Sequence, residues 1–205
     1  MKKAALISFV CLLALGATFW IMAQPEDRRI LPAIERILDS MKEDNSEPLP
    51  EMKNLSIVVK KKERKLFLFD AGKLVKTYNV GLGFTPVGDK EKEGDGKTPE
   101  GEFYIFTKNP NSSYYLSLGV SYPSIDDAKR GLAQKIISQT EHDAIVEAIE
   151  NKKTPPQKTR LGGEIYIHGH GSKTDWTQGC VALDDADIKE IFDAIPVGAS
   201  VKIEP

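Results

Sequence analysis

From residue 55 onward, apolar and polar positions alternate at the spacing of β-strands. Leu55-Ser56-Ile57-Val58-Val59 and Lys65-Leu66-Phe67-Leu68-Phe69 flank a charged turn, Lys61 to Arg64, and Asp70 to Lys73 makes a second turn before the extended run Leu74 to Val80. This pattern predicts a β-meander. Gly101 to Phe106 and Gly163 to His168 read as two further strands, separated by helical patterns over Ser124 to Arg130 and Glu141 to Asn151. Thr140 and Asp143 stand at capping-box spacing for the second of these helices. Asp184 or Asp185 is placed to cap a later helix whose Ile188, Ile191, Phe192 and Ile195 share one face, and Ser200 to Glu204 reads as a closing strand. The expected fold class is mixed and mainly β, with a helical insertion.

Ahead of this domain the pattern differs. Met1-Lys2-Lys3 gives a positive start and Ala4 to Met22 carries no charge, so residues 1–23 read as a signal peptide or membrane anchor. Val10 is too bulky to precede a lipidated cysteine at Cys11. Leu31, Ile34, Ile37, Leu38 and Met41 then recur at helical spacing, and Asn45 to Pro50 is a proline-bearing linker. Residues 24–50 are therefore expected to form an amphipathic helix and linker, and residues 51–205 one domain with its own core. The expected location is outside the cytoplasm, in the periplasm or cell envelope, with the N-terminal segment on the membrane.

Charge narrows the partners. A net charge of -2, with lysines and acids interspersed, offers no basic patch for nucleic acid.

Of two cysteines, Cys11 lies in the apolar N-terminus and Cys180 sits in Thr177-Gln178-Gly179-Cys180-Val181-Ala182-Leu183. An unpaired thiol kept in an oxidising compartment is better explained by catalysis than by packing. His168, in Ile165-Tyr166-Ile167-His168-Gly169-His170-Gly171, is near enough in sequence to be its base. Strand alternation puts Ile165 and Ile167 on one face and Tyr166 with His168 on the other. Gly179 lets backbone approach closely, and the N–H groups of Gly179 and Cys180 are candidates for holding an oxyanion. A zinc hydrolase built on His168, His170, Asp175 and Cys180 is a second reading, although their spacing matches no specific metal motif. An inactive domain that only binds a ligand is a third.

Ile167-His168-Gly169, followed by Gly179-Cys180-Val181 and preceded by Lys97-Thr98-Pro99-Glu100-Gly101-Glu102-Phe103, resembles the L,D-transpeptidase (YkuD-type) catalytic domain from about Leu55 to Glu204. The resemblance implies a β-rich domain with Cys180 as nucleophile, His168 as base and the Gly169 carbonyl orienting that base. It also implies peptidoglycan stem peptides as substrate, acyl transfer to an amine acceptor, and no cofactor. Hydrolysis by a cysteine peptidase or carboxypeptidase is the alternative outcome. Thr98 to Gly101 are expected to act as framework.

The family pattern is not followed throughout. Thr177 stands where a serine is usual, Gln178 where a histidine often precedes the Gly-Cys pair, and Ala182 where an arginine is usual. Gly179, Gln178, Trp176 and His170 are the candidate substrate-binding residues, with Lys97, Lys173 or Arg160 as possible replacements for the missing cation. Core packing explains Tyr166 and Trp176 equally well, and His142 is expected on the surface of the helical insertion.

Overall fold

The computed structural model describes residues 54–205. The expected anchor at 1–23 and the helix and linker at 24–50 lie outside them. Among the described residues no helix is long and apolar enough to cross a membrane.

The meander forms as the alternation predicts: β1 (Leu55–Lys60), β2 (Lys65–Asp70) and β3 (Lys73–Asn79) pair antiparallel in sequence. β4 (Gly101–Ser112) runs well past the expected Phe106 and turns into β5 (Tyr115–Val120), a strand absent from the sequence reading. Two helices follow, α1 (Ile125–Ala133) and α2 (Gln139–Glu150), then β6 (Tyr166–His168), β7 (Val181–Ala182), α3 (Asp185–Ala194) and β8 (Ser200–Glu204). The expected cap of α2 at Thr140 and Asp143 is displaced by two residues. The capping box is Ser138 with Glu141, because the serine hydroxyl takes the Glu141 N–H while the Glu141 carboxylate takes the Ser138 N–H.

All eight strands join one sheet in the order β3-β2-β1-β8-β4-β5-β6-β7. β8 inserts between β1, to which it is parallel, and β4, to which it is antiparallel. The chain after β3 then pairs with β7: Gly81 and Ala182 exchange both N–H···O bonds, and Thr177 N–H donates to the Leu82 carbonyl at 3.1 Å. The two ends of the strand order are thereby brought together.

The main core gathers Ile57, Val59, Leu66, Leu68 and Ile105 with Ile188, Ile191 and Ile195 of the α3 face, all at or near zero exposure. Fully burying each such side chain contributes on the order of 2 kcal/mol. The helical insertion has its own small cluster, Ala128, Ile137, Ile145 and Leu161. Leu161 ties the insertion to the segment 157–164, which forms one wall of the cleft described next.

Candidate active site

β6 and β7 place the chemistry. They run parallel with His168 opposite Ala182 and Ile167 opposite Val181, which carries Tyr166 to the level of Cys180. The Tyr166 N–H donates to Cys180 Sγ at 3.4 Å, and Sγ in turn reaches the Glu164 carbonyl at 3.5 Å. Ile167 turns into the core at 0% exposure, while Tyr166, His168 and Cys180 line a cleft of about 1030 Å³ whose wall Ile165, itself 2% exposed, also touches. The alternation expected for this strand is therefore realised.

His168 is nearly closed off from solvent. Tyr114 stacks on it with ring centroids 4.6 Å apart and planes 30° from parallel, and Trp176 meets it edge-on at 5.6 Å. Its Nδ1 lies 2.7 Å from the Gly169 carbonyl. A carbonyl only accepts, so Nδ1 carries the proton and Nε2 is left with a lone pair for accepting another. Burial, reinforced by His170, lowers the imidazole pKa against the pull of that hydrogen bond, so the ring is neutral at neutral pH.

Cys180 is a free thiol. Part of the residue reaches solvent, but protein crowds the sulfur from behind, and this burial pushes the thiol up to about 11, against the opposing pulls of the Tyr166 N–H and Lys90. At pH 7 only on the order of one thiol in ten thousand is ionised. The resting pair is thus a protonated thiol and a neutral imidazole. The thiol hydrogen is directed at the Glu164 carbonyl.

The turn that presents Cys180 is knotted by Thr177. Its Oγ1 donates to the Cys180 carbonyl at 2.7 Å and accepts the Gly179 N–H at 3.1 Å, so threonine performs a hydroxyl's work at the position where serine was expected. Gly179 therefore differs from its expected role. Its N–H is engaged, so of the two candidate oxyanion donors the Cys180 N–H is the one left, and the backbone Gly179 approaches is Lys97 rather than open cleft. A Cβ at 179 would lie 2.7 Å from the Lys97 carbonyl, and φ is +134°. The Thr98 block is framework as expected: Thr98 Oγ1 accepts the Gly83 N–H, and buried Lys61 joins the Thr98 carbonyl to the Glu100 carboxylate.

Gln178 and Trp176 line the cleft, and both are exposed. His170 is not part of the lining. It sits on the surface at φ 76°, its N–H held by Asp185 and its ring edge-on to Tyr114. Asp184 and Asp185 anchor the loop after β6, through Ser172 and His170 respectively, and Asp184 gives α3 no side-chain cap. Of the suggested cations, Arg160 lines the cleft. Lys97 instead pairs with Glu91, and Lys173 lies outside the lining. Ala182 is fully buried against Gly81, so no long cation fits there without displacing the strand.

The zinc reading loses a ligand. The Asp175 carboxylate is clasped by Arg64 at 2.7 and 3.0 Å and by the Leu82 N–H, and among the described residues no three His, Cys, Asp or Glu side chains gather as a metal cluster.

Tyr114 was missing from the sequence reading because the β4–β5 hairpin that carries it was missing. Asn111-Ser112-Ser113 was the available turn signal, between runs rich in Tyr and Phe.

A β-rich sheet with a cysteine and a histidine facing one cleft from adjoining strands defines the class. The family model of the YkuD L,D-transpeptidase catalytic domain matches residues 54–203, and the chain belongs to this family. Solved structures similar to it include the helical cell shape determining protein Pgp2 of Campylobacter jejuni, at 24% identity and TM-score 0.50 over 80% of this chain and 53% of that one. An L,D-transpeptidase from Mycobacterium smegmatis matches at 11% identity and TM-score 0.45, over 74% of this chain and 59% of that one. Bd1075 of Bdellovibrio bacteriovorus matches at 22% and 0.48, over 74% and 48%. In each case less than two thirds of the solved chain is covered. No curated protein matches the sequence.

Proposed function

We propose that this protein is a peptidoglycan L,D-transpeptidase with Cys180 as nucleophile and His168 as base. The observation that carries the reading is the Nδ1 contact of His168 with the Gly169 carbonyl, which leaves Nε2 unprotonated in the cleft that also holds Cys180. In the cycle, Nε2 takes the thiol proton as sulfur attacks an amide carbonyl of a stem peptide. The S–C bond forms, the C–N bond breaks, and the departing amine takes the proton from His168. An acceptor amine then attacks the thioester, giving a proton to His168 Nε2 as the C–N bond forms, and sulfur leaves and takes that proton to restore the thiol.

Residues 51–205 are read as the catalytic domain. An exported enzyme tethered by residues 1–23 would meet this substrate in the envelope. Gln178 and Trp176 are the candidate substrate contacts. Hydrolysis by water is the second reading, and buried Ala182 favours it, since no cation stands there to hold a donor or acceptor carboxylate. The test is incubation with a purified stem tetrapeptide, with and without an amine acceptor, followed by mass spectrometry. Cross-linked product supports transfer. Tripeptide alone at high acceptor concentration assigns the protein as a peptidase.

A further inference from the structure

Lys90 lies in the loop between β3 and β4 and is 2% exposed, yet it lines the same cleft as Cys180. Burying an ammonium is costly unless it is paired and hydrogen-bonded. Here Nζ donates to Asp95 Oδ1 at 2.7 Å and to the Lys92 carbonyl at 3.1 Å. An ammonium has three N–H donors, so one more is available. Asp95 faces away. It is absent from the cleft lining, and its oxygens accept the N–H groups of Glu91, Lys92 and Lys97, which turn the carboxylate into its own loop. The ion pair is therefore oriented, with its positive member toward the cleft.

The far wall accommodates this side chain. Gly162, at φ +88°, would bring a Cβ to 3.3 Å from Lys90 Cε, so glycine there leaves the lysine stem its path. The other charged groups on the cleft are Glu93, Glu141, Lys158, Arg160 and Glu164, all of them exposed except Glu141, which is half-buried. Around the sulfur itself stand the Tyr166 N–H and Glu164, whose carboxylate opposes a second negative charge. Among the described residues that line the cleft, Lys90 is the only buried lysine or arginine. Its charge is the least screened by water, and a buried charge acts on a neighbour far more strongly than an exposed one.

We propose that Lys90 is a positioning residue of the reaction, a buried cation that stabilises the Cys180 thiolate as His168 removes its proton. The proposal rests on the cysteine mechanism above.

The test reads the thiol directly, without wall substrate. Alkylation of the full chain by iodoacetamide is followed at pH 8 by mass spectrometry of the peptide containing Cys180, in the wild type and in Lys90→Met, Lys90→Arg and the double variant Lys90→Met with Asp95→Asn. Loss of the cation is expected to slow alkylation at least tenfold in Lys90→Met and in the double variant, and Lys90→Arg to stay within about threefold of the wild type. The double variant removes both charges together and decides the matter where Lys90→Met alone strands Asp95 and loses its circular dichroism. Wild-type rates in the folded double variant would overturn the proposal. A slowed thiol in a protein that turns over no stem peptide would leave it standing and sink the substrate assignment instead.

Discussion

The Tyr114 ring lies over the His168 imidazole, 4.6 Å between centroids, while the Tyr114 carbonyl accepts the Gly169 N–H at 3.0 Å. One residue thus covers the proposed base and pins the glycine whose carbonyl accepts from its ring.

Tyr114→Ala should admit water to His168, raise its pKa toward the ordinary value and move the acid limb of the pH–rate profile upward. The sign follows from the role of the ring: the base works only when neutral, and a lowered pKa keeps it neutral further into acid. An aromatic stack is worth about 1 kcal/mol, or roughly a fivefold effect on rate. Tyr114→Phe should retain the wild-type profile, and imidazole NMR titration of both variants checks the assignment.

Cys180→Ala should abolish turnover while leaving thermal unfolding nearly unchanged, since the substitution removes only the sulfur. In the wild type, the alkylation rate should keep rising with pH to a midpoint near 11. A midpoint near 8 would show an uncrowded thiol and contradict the buried, protonated resting state.

Thr177→Val removes the hydroxyl that holds both the Cys180 carbonyl and the Gly179 N–H. Two hydrogen bonds, one buried and one partly buried, at about 1 kcal/mol each predict a loss of about 2 kcal/mol in urea unfolding. Thr177→Ser should recover most of it, because a hydroxyl is what the turn requires.

Gly179→Ala sets a Cβ against the Lys97 carbonyl in a backbone conformation that L residues rarely adopt. The expected cost is about 1–3 kcal/mol of stability. Activity should fall further than stability, since the Cys180 turn must shift to relieve the contact. Denaturant midpoints and turnover measured on the same preparation separate the two effects.

Much of this domain was legible in its residues because period-2 alternation survives wherever one sheet face is buried. β1, β2, β3 and β8 appear within a residue or two of where Leu55 to Val80 and Ser200 to Glu204 place them. β5 was not legible. Ser117, Leu118, Gly119 and Val120 are all buried, as expected of a strand covered on both sides, so no alternation marks it. The helix ends near α2 were misplaced for a local reason, two hydroxyl residues, Ser138 and Thr140, each followed three residues later by a carboxylate. At the site, Cys180, His168 and Gly169 could be picked out together because they lie on two short motifs, which β6 and β7 bring side by side. Tyr114, Lys90 and Arg160 reach the cleft from three separate loops, and only tertiary structure brings such positions together.

β8 lies between β1 and β4, so the five residues Ser200–Glu204 join two half-sheets, β3-β2-β1 on one side and β4-β5-β6-β7 on the other. On the ribosome, both halves emerge before the strand that unites them. Until residues 200–204 have been made, β1 and β4 each present an unpaired edge, and the two half-sheets meet through the Gly81–Ala182 and Leu82–Thr177 hydrogen bonds but not along their central strands. The domain's assembly is therefore gated by its last strand, and a nascent chain halted short of Ser200 should be sensitive to proteases while one extended past Pro205 and clear of the exit tunnel should not.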